Sequence, residues 1–109
     1  MIRASVSIDN VVVDSYCGLL ADYVREVGAT VIVKGLRATT DFEYEFQMAL
    51  ANKKLAPFAE TVFLTTAQDN MFLSSSVVRQ IARFGGDISG FVPEPVRNMI
   101  AERLAPADR

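Results

Sequence analysis

Short β-branched runs alternate along this chain with stretches of helical period, and that alternation restricts the fold more than any other feature. Val11-Val12-Val13 follows Asp9-Asn10, Thr30-Val31-Ile32-Val33 comes second, and Thr61-Val62-Phe63-Leu64-Thr65 third. Each is short, apolar and branched, which suits a buried strand. Between the first two, Tyr16, Leu20, Tyr23, Val24 and Val27 recur at i, i+4, i+7, i+8 and i+11, and Gly28 sits where a helix C-terminal glycine belongs. A longer helix is expected from about Asp41 to Leu55, with Pro57 just beyond it; Thr40-Asp41-Phe42-Glu43 has the T-x-x-E form of a capping box, which makes Thr40 its N-cap. Ser74 or Ser75 caps a further helix through Phe84. Its apolar face is Val77, Val78, Ile81 and Ala82, and Gly85-Gly86 stops it. The last helix starts near Pro93-Glu94-Pro95 and buries Val96, Met99, Ile100 and Leu104. Strands and helices in this order imply right-handed βαβ crossovers, and hence an α/β fold with a thin parallel sheet of three strands and an open edge.

The 109 residues fit one domain. A formal net charge of −2 gives no electrostatic footprint for duplex nucleic acid, and no basic run suggests a membrane surface. No segment has the roughly 18 consecutive apolar residues of a spanning helix, and the start lacks a signal-peptide core, so a cytoplasmic protein is expected. The single Cys17 excludes an internal disulfide and is expected to be a small buried apolar residue. There is no histidine, so imidazole general-base chemistry and histidine metal sites are excluded within these residues. Catalysis here must rely on the placement of charge.

Two places could supply it. In parallel α/β folds ligands sit beyond the carboxyl ends of strands, and Lys34-Gly35-Leu36-Arg37 is expected just past the second strand. Gly35 lets backbone approach a ligand closely, while Lys34 and Arg37 can neutralise phosphate oxygens. A solvated basic turn is the plainer alternative. Glu45 projects near the apolar face of its helix and wants a partner, for which Arg37 or a ligand group is the candidate. Glu43 reads as the capping-box acid and Asp41 as a first-turn acid favoured by the helix dipole. The second place is Ser74-Ser75-Ser76, where a helix N-terminus offers free backbone N–H groups to an anion, although one serine would suffice as a cap. Neither G-x-x-x-x-G-K nor G-x-G-x-x-G occurs. Phosphoryl or nucleotidyl transfer needs no protein nucleophile, and positioning with charge stabilisation can suffice.

The segments KGLRATTDFEYEFQMALANKKLAP, ETVFLTT and FLSSSVVRQIARFGGDISGFVPEPV closely resemble the phosphopantetheine adenylyltransferase family, from about Asn10 to Leu104. The resemblance implies a Rossmann-like nucleotidyltransferase fold and transfer of AMP from ATP to 4′-phosphopantetheine. The products are dephospho-coenzyme A and pyrophosphate, with Mg²⁺ accompanying ATP. By the same resemblance Lys34 contacts the phosphopantetheine phosphate and Leu20 the pantetheine. Gly35, Leu36, Arg37 and Glu45 contact ATP, and Asn70, Met71, Phe72, Leu73, Ser74, Ser75 and Ser76 hold its phosphates. A homo-hexamer is also implied. The chain departs from the family at Asn70-Met71, where an aromatic residue and serine are usual, and at Arg79-Gln80, where Lys-Glu is common. The family's GTFDPxTxGH turn, whose histidine and threonine stabilise the transition state, is not in these residues, nor is a lysine that follows it. The expectation is an N-terminally truncated form, the C-terminal two-thirds of the domain, with no catalytic residue and no metal ligand of its own. The alternative is a non-catalytic nucleotide-binding or protein-interaction remnant of the fold.

Overall fold

A computed structural model describes residues 1–37 and 39–104, and the side chains of 39 and 40 are left out of the description. The chain forms two compact units, Ser15–Phe72 and Met1–Asp14 with Leu73–Arg109, of which 105–109 lie outside the described residues.

In the Ser15–Phe72 unit, α2 (Leu20–Val27) leads to β1 (Val31–Leu36), α3 (Thr39–Leu55) and β2 (Glu60–Thr65), while α1 (Ile2–Ser5) belongs to the other unit. The two strands pair in parallel, with Val31 opposite Glu60, Val33 opposite Val62 and Leu36 opposite Thr65. Backbone bonds from Glu60 N–H to Thr30 O and from Thr66 N–H to Leu36 O, both 2.9 Å, extend the ladder at each end. Ile32 points into a core of Ala21, Val24, Ala56 and Ala59, against which Leu20 and Ala29 pack. Ala56 is completely buried. Alanines at these positions let α2 and the end of α3 lie close to the sheet.

Arg25 strengthens the join between these helices: it pairs with Asp22 at 3.1 Å and donates through Nη2 to Leu55 O at 2.7 Å. Its guanidinium also lies 6.0 Å from the Phe58 ring. At the other end, Phe42 of α3 meets Phe63 of β2 edge-on at 5.9 Å and stacks on Phe46 at 5.6 Å.

The expected helix stop is present. Gly28 has φ 71° and ψ 24°, and the Ala29 N–H bonds to Val24 O at 3.0 Å. A Cβ at Gly28 would meet nothing within 4 Å, so the left-handed backbone alone penalises substitution. Gly28→Ala is expected to cost about 1–2 kcal/mol, read as a lower thermal midpoint in a circular dichroism melt. An unchanged midpoint would show that the turn relaxes to negative φ.

The second unit contains α1 (Ile2–Ser5), α4 (Ser75–Arg83) and α5 (Glu94–Leu104). Val78, Ala82 and Ile88 form its core, with Leu73, Ile81, Phe91, Val92, Ile100 and Leu104 packed around them. Val96 is buried on α5 as its spacing requires. Beyond α4, the Asp87 carboxylate accepts from the Ser89 N–H at 2.9 Å. That bond, followed by the Ser89 hydroxyl and a weaker contribution from Arg97, lowers the Asp87 pKa. The stability this contributes is present above the ordinary aspartate value and is lost as pH falls through the lowered one.

Several expectations fail. Val11-Val12-Val13 is not a strand: the sheet of described residues has two strands, and Val12 is 89% exposed. Branched residues favour extended backbone, but a strand also needs a ladder partner, and Val13 O accepts instead from the Arg3 side chain at 3.3 Å. Cys17 is exposed rather than buried, because it lies in the loop before α2. Tyr16 also precedes that helix and reaches Tyr23 by ring contact, 5.1 Å between centroids. The Thr40 cap lies outside the described side chains.

Candidate functional site

β1 continues through the residues expected to lie beyond it. Lys34, Gly35 and Leu36 pair with Phe63, Leu64 and Thr65, so they are the carboxyl-terminal half of the strand and only Arg37 lies past it. Strand alternation then separates their roles. Lys34 and Leu36 share the face of Ile32, toward the packed side, while Gly35 is on the opposite face with open space where a Cβ would stand.

Glu45 is partnered by Lys34, not by Arg37. Lys34 Nζ lies 3.5 Å from Glu45 Oε2, with the side chains 36% and 24% exposed. Arg37 pairs instead with Asp41, its Nε donating to Oδ2 at 3.2 Å. The reason is geometric: Lys34 projects from the strand over the middle of α3, whereas Arg37 emerges at the start of that helix. Asp41, expected only to favour the helix dipole, therefore also holds Arg37, which lies before the helix, so that no helical spacing marks the pair in the sequence. Half-exposed pairs of this kind contribute little stability, about 0–1 kcal/mol each. Their consequence is orientation: two cations are held at the carboxyl end of β1, each by one carboxylate from α3.

Leu20, at the start of α2, is half-buried against the Ala21, Val24 and Ile32 core. Asn70 closes a 3₁₀ turn, Gln68–Asn70, through its N–H bond to Ala67 O at 3.0 Å. Met71 and Phe72 follow it, 48% and 57% exposed. These residues belong to the Ser15–Phe72 unit.

Leu73, Ser74, Ser75 and Ser76 belong to the other unit. Ser74 is the N-cap of α4, its extended backbone turning the chain and its Oγ accepting from the Val77 N–H at 3.2 Å. One serine therefore does the capping, a role worth about 1 kcal/mol. Ser75 Oγ accepts from Arg79 Nη2 at 2.9 Å, and Ser76 is exposed. Leu73 packs on the core beneath them. The first turn of α4 thus presents hydroxyls and backbone donors on a helix whose N-terminus favours an anion.

One unit thus has a parallel strand ending in two oriented cations, and the other has a serine-capped helix N-terminus; each taken by itself is chemistry that favours a phosphate. The family model described as cytidylyltransferase-like matches residues 1–81, and the chain belongs to that family. It is 56% identical over 104 residues to the phosphopantetheine adenylyltransferase of Heliobacterium modesticaldum, covering 94% of this chain and 62% of that protein. The enzyme of the same name from Alkaliphilus metalliredigens is 56% identical over 94 residues, 86% of this chain and 60% of the relative. That from Dictyoglomus turgidum is 51% identical over 105 residues, 95% and 66% respectively. The chain therefore spans about three-fifths of the length of these relatives. Among the described residues no helix is long and apolar enough to cross a membrane.

Proposed function

We propose that these residues form the nucleotide- and phosphate-holding part of a phosphopantetheine adenylyltransferase. The observation that carries the reading is the pair of oriented cations at the carboxyl end of β1, Lys34 held by Glu45 and Arg37 by Asp41. Relatives bearing that enzyme's name at 51–56% identity support it. In the reaction a phosphate oxygen of 4′-phosphopantetheine attacks the α-phosphorus of ATP. A new P–O bond forms to AMP while the bond to the bridging oxygen breaks, and pyrophosphate leaves.

Lys34 neutralises the attacking phosphate and Leu20 contacts the apolar part of the pantetheine. Gly35, Leu36, Arg37 and Glu45 hold ATP, and residues 70–76 hold its phosphates. Every role is one of binding, orientation or charge stabilisation, which suits in-line displacement at phosphorus. Among the described residues no group of three or more His, Cys, Asp or Glu could hold a metal ion. In this proposal Mg²⁺ arrives with the ATP phosphates, as Mg²⁺ is commonly carried by substrate phosphates. A cytoplasmic homo-hexamer without nucleic-acid partners completes it. The alternative, a nucleotide-binding module without turnover, differs in the activity of the polypeptide and not in these contacts.

Arg37→Ala is expected to weaken ATP binding roughly tenfold, the equivalent of one charge-assisted hydrogen bond. Arg97→Ala is the matched control, because Arg97 is engaged with Glu94 on α5 at 2.9 Å. Isothermal titration calorimetry of both variants tests the reading, and equal losses would count against it.

A further inference from the structure

The second unit holds a groove between α4 and α5, about 310 Å³ in volume. Val78 and Arg79 form one side, Ile100, Arg103 and Leu104 the other, and Val92 joins them ahead of α5. The i, i+3, i+4 spacing on α5 sets its three residues on one stripe. Val78 is buried, whereas Val92, Ile100 and Leu104 pack on the same core and stay only half-buried, which leaves an apolar side open. The wall is entirely apolar, so the two arginines contribute their stems and carry their charged ends beyond it. Arg79 is fastened there, with Nη2 bonded to Ser75 Oγ at 2.9 Å and Nε to Ser75 O at 3.3 Å. Arg103 makes no side-chain hydrogen bond or ion pair with the other described residues. Neither a carboxylate nor an aromatic ring lines the groove.

We infer that this groove binds a medium-chain aliphatic carboxylate, its tail between the helices and its head at the Arg103 guanidinium. The apolar wall favours a hydrocarbon tail, and the absence of an aromatic partner favours a flexible chain over a stacked ring. The volume stands at the lower end of the roughly 300–1,000 Å³ of small-molecule pockets, which suits a short tail rather than a long lipid. The charge at the mouth decides the head group. Arg103 can take a carboxylate bidentately, with no acidic side chain of the groove to compete for it, and Arg79 adds a second positive charge. A neutral lipid would leave both charges unused, and a polyphosphate would leave the apolar wall uncovered. This ligand belongs to a different chemical class from the substrates proposed above, and every residue invoked lies within one unit.

Methyl resonances of the full chain, followed as octanoate is added, provide the test. The expected result is saturable movement at Val78, Val92, Ile100 and Leu104, while Val33 and Leu64, exposed on the sheet of the other unit, stay unmoved. Octanol, which has the tail without the charge, should bind about tenfold more weakly, and so should hexanoate, which is two methylenes shorter. Arg103→Gln, a change at an exposed side chain, should weaken octanoate about tenfold and leave octanol unaffected. Unmoved Ala82 and Ile88 resonances verify that the variant is folded. The proposal is overturned if octanoate moves none of the groove resonances, if it moves Val33 and Leu64 at the same concentration, or if Arg103→Gln binds it as tightly as the parent chain. It is also overturned if dilution without ligand moves the groove resonances, because a second copy of the chain would then be the occupant. Arg37→Ala, which tests ATP binding, should leave octanoate binding unchanged, so failure of either reading is visible without the other.

Discussion

Expressed by themselves, the 109 residues are expected to release no detectable pyrophosphate from ATP and 4′-phosphopantetheine. Lys34, Arg37 and the α4 N-terminus can bind and orient, but the chain contains no histidine. In the resembled family a histidine and a threonine on a separate turn stabilise the charge that develops as the bond to pyrophosphate breaks. Losing one preorganised donor of this kind costs roughly 10²–10³-fold in rate, and losing two places turnover below a coupled pyrophosphate assay. Supplying the corresponding segment of a relative in trans should restore activity if it docks beside β1, and Arg37→Ala should then reduce the gain about tenfold at ATP concentrations below saturation. Family-like turnover by the 109 residues alone would show that positioning by cations and helix dipole is sufficient, and the assignment of catalysis to the absent turn would fall.

The parts of this fold that local chemistry determines were legible in the sequence. Gly28 and Gly85 stop their helices with φ of 71° and 74°, and Ser74 caps α4 as its position ahead of an apolar period required. The strands at Val31 and Glu60 and the parallel pairing followed from branched runs separated by a helix. What failed depended on partners. Val11-Val12-Val13 has strand composition, yet nothing local reveals whether a ladder is available to it. Lys34 and Gly35 looked like a turn because a cation and a glycine usually end a strand. In the folded chain β2 extends opposite them to Thr65, and pairing overrides that preference. The same non-local step changed the site: α3 presents Glu45 to Lys34 and Asp41 to Arg37, a pairing set by how the helix lies on the sheet.

The second large effect concerns the uncovered face of that sheet. The register places Val31, Val33, Val62 and Leu64 on one side, 51%, 61%, 44% and 57% exposed, while Ile32 is buried on the other. Parallel strands are ordinarily covered on both faces, and a contiguous apolar surface in water is a driving force for association. The isolated 109 residues are therefore expected to self-associate. Sedimentation should give a weight-average mass well above 12.0 kDa, rising with concentration, and a dye that binds exposed apolar surface should fluoresce with it. Val33→Lys combined with Leu64→Lys should shift the population to monomer, because two ammonium groups repel across the face and keep it hydrated. Helical content should persist, since neither side chain belongs to the Ala21, Val24, Ile32, Ala56 and Ala59 core. A parent chain that sediments as a monomer at every concentration and binds no dye would show that this face is closed in solution by the chain itself. The two lysines would then destabilise the fold instead of dispersing it, and the thermal midpoint of the double variant would separate these outcomes.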